Sequence, residues 1–459
     1  VKKYRIEKDS LGKVKVPSDR YYGAQTQRAI ENFRVSDFKF PFEFIKALSL
    51  IKWCAAEVNS ELKLLDKKIS SAIIKAAREI YEGKLKDEFP LDIFQTGSGT
   101  STNMNINEVI ANRANEILGY EKGKKYPVHP NDHVNMGQSS NDTVPSAMQI
   151  ASRILLNELI EELKKLRDAF RKKEREFKKV IKTGRTHLQD AVPMTLGQEF
   201  SGYRSQIESN IRRIKSTFKS LENLPLGGTA IGTGVNSHPE FGKRICKKIS
   251  EKTGIKFKEA RNKFEYIATR DCMVELMGVL NTLAVSLMKI SNDLRLLSSG
   301  PMTGFDEIRL PELQPGSSIM PGKINPVIPE MMIQVCAFVN GACVAVSIGG
   351  QNAPLELNMM MPLITFLTIN SIRILKNAIN LFTEKCIKGI KANEEICRKY
   401  AEMSFALITP LAKKIGYDRA SKIVLKAYKE KRSIRDVLIE EGILSKEEIE
   451  QFLDPFKMT

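Results

Sequence analysis

Met331–Leu355 reads MMIQVCAFVNGACVAVSIGGQNAPL, with no charged side chain anywhere in it. A span of about 20 apolar residues is long enough to cross a bilayer, so that possibility has to be weighed first. Against it, Gln334, Asn340, Gly341 and Ser347 interrupt the apolar text, and no Trp or Tyr flanks it as an interfacial anchor. A helix apolar all round is more simply explained as buried inside a large helical bundle. Leu276–Met288 has the same character. One chain could hardly cover several such helices, so an oligomer is expected, its core built from helices of more than one chain.

Further helices are expected on both sides of this stretch. Leu156, Leu159, Leu163, Leu166 and Phe170 recur at spacings of three and four, an apolar stripe on a helix opened by Pro145 and running to about Lys182. Long helices are also expected over Met194–Glu222, Lys263–Leu297, Pro326–Ile348 and Pro362–Ile390. Five helices of this length argue for a bundle. Residues 1–137 are mixed, with helical patterns at Phe44–Leu62 and Ile69–Gly83 between turns. The bundle segment is placed at 138–390, and 391–459 reads as a small helical module.

The chain has 459 residues, 42% hydrophobic and 27% charged, which excludes wholesale disorder. Lys and Arg number 72 against 54 Asp and Glu, a net +18. Because acidic residues are interspersed, as at Glu174 and Glu176 within Arg171–Lys179, the excess reads as a solvated exterior, not a stripe that tracks nucleic acid. The 7 cysteines are scattered and form no CxxC pair. A reducing, cytoplasmic setting without a metal cluster is expected. VKKYRIEKDS, at the start, has no apolar core of a signal peptide.

Several common chemistries have no motif here. There is no GxGxxG and no GxSxG. Gly316–Lys323 differs from a phosphate loop: five residues separate its glycines, and Ile324 stands where magnesium needs Ser or Thr. His129 and His133 have helical metal spacing, but Pro130-Asn131-Asp132 between them reads as a turn.

Four polar clusters interrupt the helical text: Thr96–Asn105 (TGSGTSTNMN), Gln138–Asp142 (QSSND), Gly184–Asp190 (GRTHLQD) and Gly316–Pro326 (GSSIMPGKINP). Each supplies hydroxyl, amide or backbone N–H donors, and several precede a helix, where free N–H groups attract anions. Lys323 adds a point charge. Donors without paired acids suit a carboxylate or phosphate ligand. Read singly, each cluster is more often a helix cap and loop.

At these same residues the chain resembles the fumarase/aspartase superfamily of lyases. The likeness runs from EKDSLGKVKVPSDRYYGAQTQRAIENF (Glu7–Phe33) through QTGSGTSTNMNINEVIANRA, HPNDHVN, QSSND, GRTHLQDAVPMTLGQEFSGY, LGGTAIGTGVNSHPEF and GSSIMPGKINP to the C-terminal module. Within the superfamily it is most similar to the class II, iron-independent fumarases. That resemblance implies a mainly α, three-domain chain with a central five-helix bundle. Four such bundles pack into the common core of a homotetramer, whose active sites take loops from different chains. It implies stereospecific anti hydration of fumarate to (S)-malate, a step of the citric acid cycle, with a carbanion intermediate and no metal or cofactor.

The resemblance also implies roles. Ser317 takes the carbon-bound proton, and Lys323 with the backbone N–H groups around Ser318 stabilises the carbanion. His187, paired with Glu330, handles the leaving water. Ser98, Gly99, Thr100, Ser139, Ser140, Asn141, Thr186, Ser318, Lys323, Ile324 and Asn325 match substrate-binding positions. His129, Pro130, Asn131 and Asp132 match a secondary anion site, where Tyr126 departs from the basic residue common in fumarases. Closure of the Gly316–Gly322 loop is expected from its glycines.

Some text leans toward aspartase: KISNDLRLLSSGP (Lys289–Pro301), PELQ (Pro311–Gln314) and NPVIPE (Asn325–Glu330). His187, QSSND and Gly322 in PGK lean to fumarase. Aspartate ammonia-lyase is therefore the alternative. A non-catalytic anion- or nucleic-acid-binding scaffold ranks below it, because such a scaffold would not need Ser317, His187, Lys323 and Glu330 together. Neither nucleic acid nor a membrane is an expected partner.

Overall fold

A computed structural model describes residues 3–459. Helices dominate, and the strands form small two-stranded pairings. The chain divides into two compact units. One comprises 1–160, 212–282 and 337–375; the other comprises 161–211, 283–336 and 376–459.

The first unit opens with an antiparallel hairpin, Tyr4–Asp9 against Gly12–Pro17. Helices Phe42–Glu61 and Lys67–Tyr81 follow, close to the expected spans. Phe44, Leu48, Ile51 and Val58 of the former are fully buried, as are Ile73, Ala77 and Ile80 of the latter. Asp66 starts the second helix by accepting from the Lys68 and Ile69 N–H groups, which satisfies two donors that a helix leaves free. In the second unit, Phe170, Phe177, Phe200 and Tyr203 make edge and tilted ring contacts. Its C-terminal residues have their own core of Leu411, Ile423, Ala427, Val437, Leu438 and Ile449.

The five long helices are present, with shifted ends: Ser140–Glu176, Leu196–Ser216, Asp271–Leu297, Val327–Gln351 and Met361–Lys385. Pro145 does not open the first one but lies inside it. Having no N–H, it leaves the Asn141 carbonyl without its usual i→i−4 donor just after the first turn. Lys182 is not helical: it lies in strand Ile181–Thr186, which pairs with Gln189–Thr195. The cluster expected there as a loop is a β-hairpin. The helix expected over Lys263–Leu297 breaks after Ala268 and restarts at Asp271, with the buried Arg270 donating to the Tyr266 and Ile267 carbonyls at the break.

Val327–Gln351 and Asp271–Leu297 are long and apolar enough to cross a membrane by length and composition alone. Burial of these two helices is incomplete within one chain. On Val327–Gln351, Phe338 is 45%, Val344 61% and Ile348 52% exposed. Val285 and Leu296 are likewise exposed on Asp271–Leu297.

Candidate active site

The first two polar clusters meet in the first unit. Helix Thr100–Ile117 starts at Gly99, whose φ of 73° is left-handed and therefore suits glycine. Gly97 packs directly on the backbone of Met359, so that a Cβ there would collide with the Met359 carbonyl oxygen. The loop is thus held with its hydroxyls at the helix start: Ser98 Oγ and Thr100 Oγ1 lie 2.7 Å apart, and Gln95 Oε1 accepts from Thr102 N and Oγ1.

The second cluster begins helix Ser140–Glu176. Ser139 Oγ accepts from Asn141 N at 3.2 Å. Asp142, fully buried, accepts from Ser139 N at 2.9 Å and, with its other oxygen, from Gly227 N and Thr229 N at 3.1 and 3.0 Å. Asn141 Nδ2 donates to the Ala230 carbonyl at 2.8 Å. Segment Gly227–Ala230 is therefore fixed to this helix start. Asn103 Nδ2 links the clusters, donating to Ser140 Oγ and Asn135 Oδ1, each at 3.2 Å. The result is a cradle of hydroxyls, amides and helix N-terminal N–H groups. Burial pushes the Asp142 carboxyl up, to about 7.

The segment around His129 is also in this unit. Pro130–Val134 forms a single π-helical turn, which His129 begins. His129 Nδ1 accepts from Asn131 N and Asp132 N, both at 3.2 Å, and His133 Nδ1 accepts from His129 N at 2.8 Å. Both Nδ1 atoms are thereby engaged by the backbone. Burial lowers the His129 pKa despite the neighbouring Asp132. Pro130 is buried, while Asn131 and Asp132 are exposed.

The third and fourth clusters belong to the second unit. Thr186 pairs with Gln189, so His187 and Leu188 form a two-residue turn, with φ of 56° and 61°. Positive φ at both positions is the requirement of a type I′ hairpin, normally met by Asn-Gly. Here a histidine and a leucine are held left-handed, a strained arrangement that concentrates at functional sites. Behind the turn, Arg185 Nη1 pairs with Glu307 Oε1 at 2.8 Å, and its guanidinium covers the Phe305 ring at 4.5 Å. Lys182 Nζ lies 2.8 Å from Glu199 Oε2 and 3.2 Å from Glu307 Oε2. Burial works against the Lys182 charge, but the two carboxylates outweigh it and raise its pKa. Thr186 and His187 are exposed at the tip.

The Gly316 loop is closed at its base, where Gly316 N donates to the Lys323 carbonyl at 2.7 Å and Asn325 Nδ2 to the Gly316 carbonyl at 2.8 Å. Ser317 Oγ accepts from Ile319 N at 3.2 Å and Met320 N at 2.9 Å. Ser317 and Asn325 are half-buried; Ser318, Lys323 and Ile324 are exposed. Glu330 lies in the first turn of Val327–Gln351. Among the described residues, no hydrogen bond or ion pair joins it to His187 within one chain.

Lys52 was not singled out from the sequence. It is fully buried and donates to Asn135 Oδ1 and Gln138 Oε1 at 2.9 and 3.0 Å. Its signal was there to read, as the lone charge in Ala47–Ala56. Arg185, within a quoted cluster, and Glu307, outside all four, also carry more of the local architecture than their sequence context announces.

A family model described as "Lyase" matches residues 12–341, and one described as "Fumarase C C-terminus" matches 407–459. "Fumarate hydratase class II 2" of Bradyrhizobium diazoefficiens is 49% identical over 99% of this chain and 96% of its own. "Fumarate hydratase, mitochondrial" of Homo sapiens is 50% identical over 99% of this chain and 90% of its own. The crystal structure of class II fumarase from Schistosoma mansoni superposes with a TM-score of 0.97 at 41% identity, covering 99% of both chains. The chain belongs to the class II fumarases of the fumarase/aspartase lyases.

Proposed function

We infer that this chain is a lyase of the fumarate hydratase type, interconverting fumarate and (S)-malate as in the citric acid cycle. The observation that carries this reading is identity of about half, over nearly the whole chain, to curated fumarate hydratases. Dehydration of malate removes a proton next to one carboxylate and expels hydroxide from the neighbouring carbon. The intermediate carries an added negative charge, so preorganised donors are the main requirement. Ser317 is the proposed base. Its Oγ accepts two backbone N–H bonds, which favour the deprotonated oxygen over the free hydroxyl. Lys323 stabilises the carbanion, and His187 with Glu330 protonates the departing hydroxide. Ser98, Gly99, Thr100, Ser139, Ser140 and Asn141 receive substrate carboxylates in the cradle, with Thr186, Ser318, Ile324 and Asn325 completing the site. His129, Pro130, Asn131 and Asp132 serve as the secondary anion site.

The active unit we propose is a homotetramer whose sites draw residues from different copies. The exposed apolar faces at Phe338, Val344 and Ile348 and at Val285 and Leu296 support it, since contiguous exposed apolar surface marks an interface. The test follows fumarate absorbance after adding L-malate or L-aspartate in chelating buffer. Formation of fumarate from malate alone is expected. Formation from aspartate alone would make the chain an aspartase and overturn the role given to His187.

A further inference from the structure

Lys52 is wholly buried in helix Phe42–Glu61, yet it makes no ion pair among the described residues and bonds only to two side-chain amides. An ammonium group can only donate. It therefore favours the orientation in which both amides turn their oxygens toward it, the one in which Asn135 Nδ2 donates to the Gln138 carbonyl and Gln138 Nε2 to the Val134 and Met136 carbonyls. Asn135 must turn Oδ1 toward Lys52, and the same oxygen then accepts from Asn103 Nδ2 at 3.2 Å and Asn107 Nδ2 at 3.1 Å. Asn103, obliged to present its NH2 group, donates to Ser140 Oγ at 3.2 Å. A hydroxyl whose oxygen is so engaged has its hydrogen left to give. Each step follows the donor inventory of the step before, and at Asn135 the Lys52 donor acts together with the Nδ2 bond to the Gln138 carbonyl. The nearby Asp142, bonded to three backbone N–H groups, balances the buried charge without competing for these amides.

We propose that Lys52 is a positioning residue which, through Asn135 and Asn103, sets Ser140 as a hydrogen-bond donor toward a substrate carboxylate. This rests on the reading of the cradle as a dicarboxylate site. Without the ammonium, the Asn135 orientation rests on its Nδ2 bond to the Gln138 carbonyl, and the polarity of Ser140 is less firmly fixed.

The experiment is a double-mutant cycle on the full chain. It is read by calorimetric binding of succinate, an unreactive dicarboxylate, alongside fumarate hydration. Lys52→Met should weaken succinate binding about tenfold, the scale of one hydrogen bond to a charged group. It should raise KM more than it lowers kcat. In a Ser140→Ala background, Lys52→Met should add little further loss, because both changes remove the same donor. Should Lys52→Met not fold, Asn135→Ala interrupts the same chain while leaving Lys52 bonded to Gln138, and the same coupling with Ser140→Ala is expected. Additive losses, or succinate binding unchanged by breaking the chain, would overturn the inference. So would a wild-type protein that does not bind succinate. A wild type that binds succinate but does not hydrate fumarate would overturn the functional reading alone.

Discussion

The cradle of the first unit and the two segments proposed as catalytic in the second are built on opposite plans. Around Thr100 and Ser140 the polar groups are largely buried and bonded to one another: Lys52, Asn103, Asn107, Asn135 and Gln138 form a continuous network within one chain, with Asp142 beside it on backbone N–H groups. His187 and most of the Gly316 loop instead stand exposed, fixed at the base by Arg185–Glu307 and by the bonds of Gly316 with Lys323 and Asn325. Binding a dianion asks for donors that do not reorganise, and buried networks provide them. Proton transfer asks for groups presented outward. Their exposure within one chain supports the proposal that another copy completes the site.

The contrast can be broken most strongly at the exposed side. Ser317→Ala should lower malate dehydration by about 10²–10⁴-fold, with succinate binding in the cradle little changed; equal losses in both would erase the division of labour. Next comes the support beneath the hairpin. Glu307 is fully buried between Lys182 and Arg185, so Glu307→Gln strands Arg185, leaves Lys182 with Glu199 alone, and should cost about 3–5 kcal/mol in thermal or denaturant unfolding. Glu199→Gln, at a half-buried carboxylate, should cost about 1 kcal/mol or less. Similar losses would mean that burial is not what gives Glu307 its weight.

The smallest effects have opposite signs in the two regions. Leu188 holds φ 61° and is 64% exposed, so little packing opposes relief of strain. Leu188→Gly should raise stability by about 1 kcal/mol. Gly99→Ala should lower it by about 1–2 kcal/mol, because its φ is 73° and a Cβ would sit 3.0 Å from Val144 Cγ1. Unfolding curves of the two variants would show whether strain is confined to the catalytic tip.

The long helices were legible because apolar periodicity is a local signal, and Leu156 through Phe170 spell it out. Their ends were less so. Glu176 ends a helix whose text runs on toward Lys182, since Ile181–Thr186 finds a strand partner that no local pattern reveals. The hairpin itself was hidden twice. His187-Leu188 lacks the Asn-Gly signature of its turn, and Pro193 lies inside the second strand, where proline ordinarily argues against strand. The four clusters were visible as polar interruptions, and the resemblance assigned them to one site. Lys52 was marked only by being the lone charge in Ala47–Ala56, because its role depends on amides some 80 residues further along the chain.

The central claim is that the exposed catalytic groups of one copy complete a site with those of others. Mixing Ser317→Ala chains with His187→Asn chains tests it most directly, after joint unfolding and reassembly. If Ser317 and His187 reach a given site from different copies, random assembly should restore activity to about a quarter of wild type, from two inactive parents in a symmetric oligomer. Activity no higher than that of either parent, in oligomers shown to contain both chains, would contradict the account.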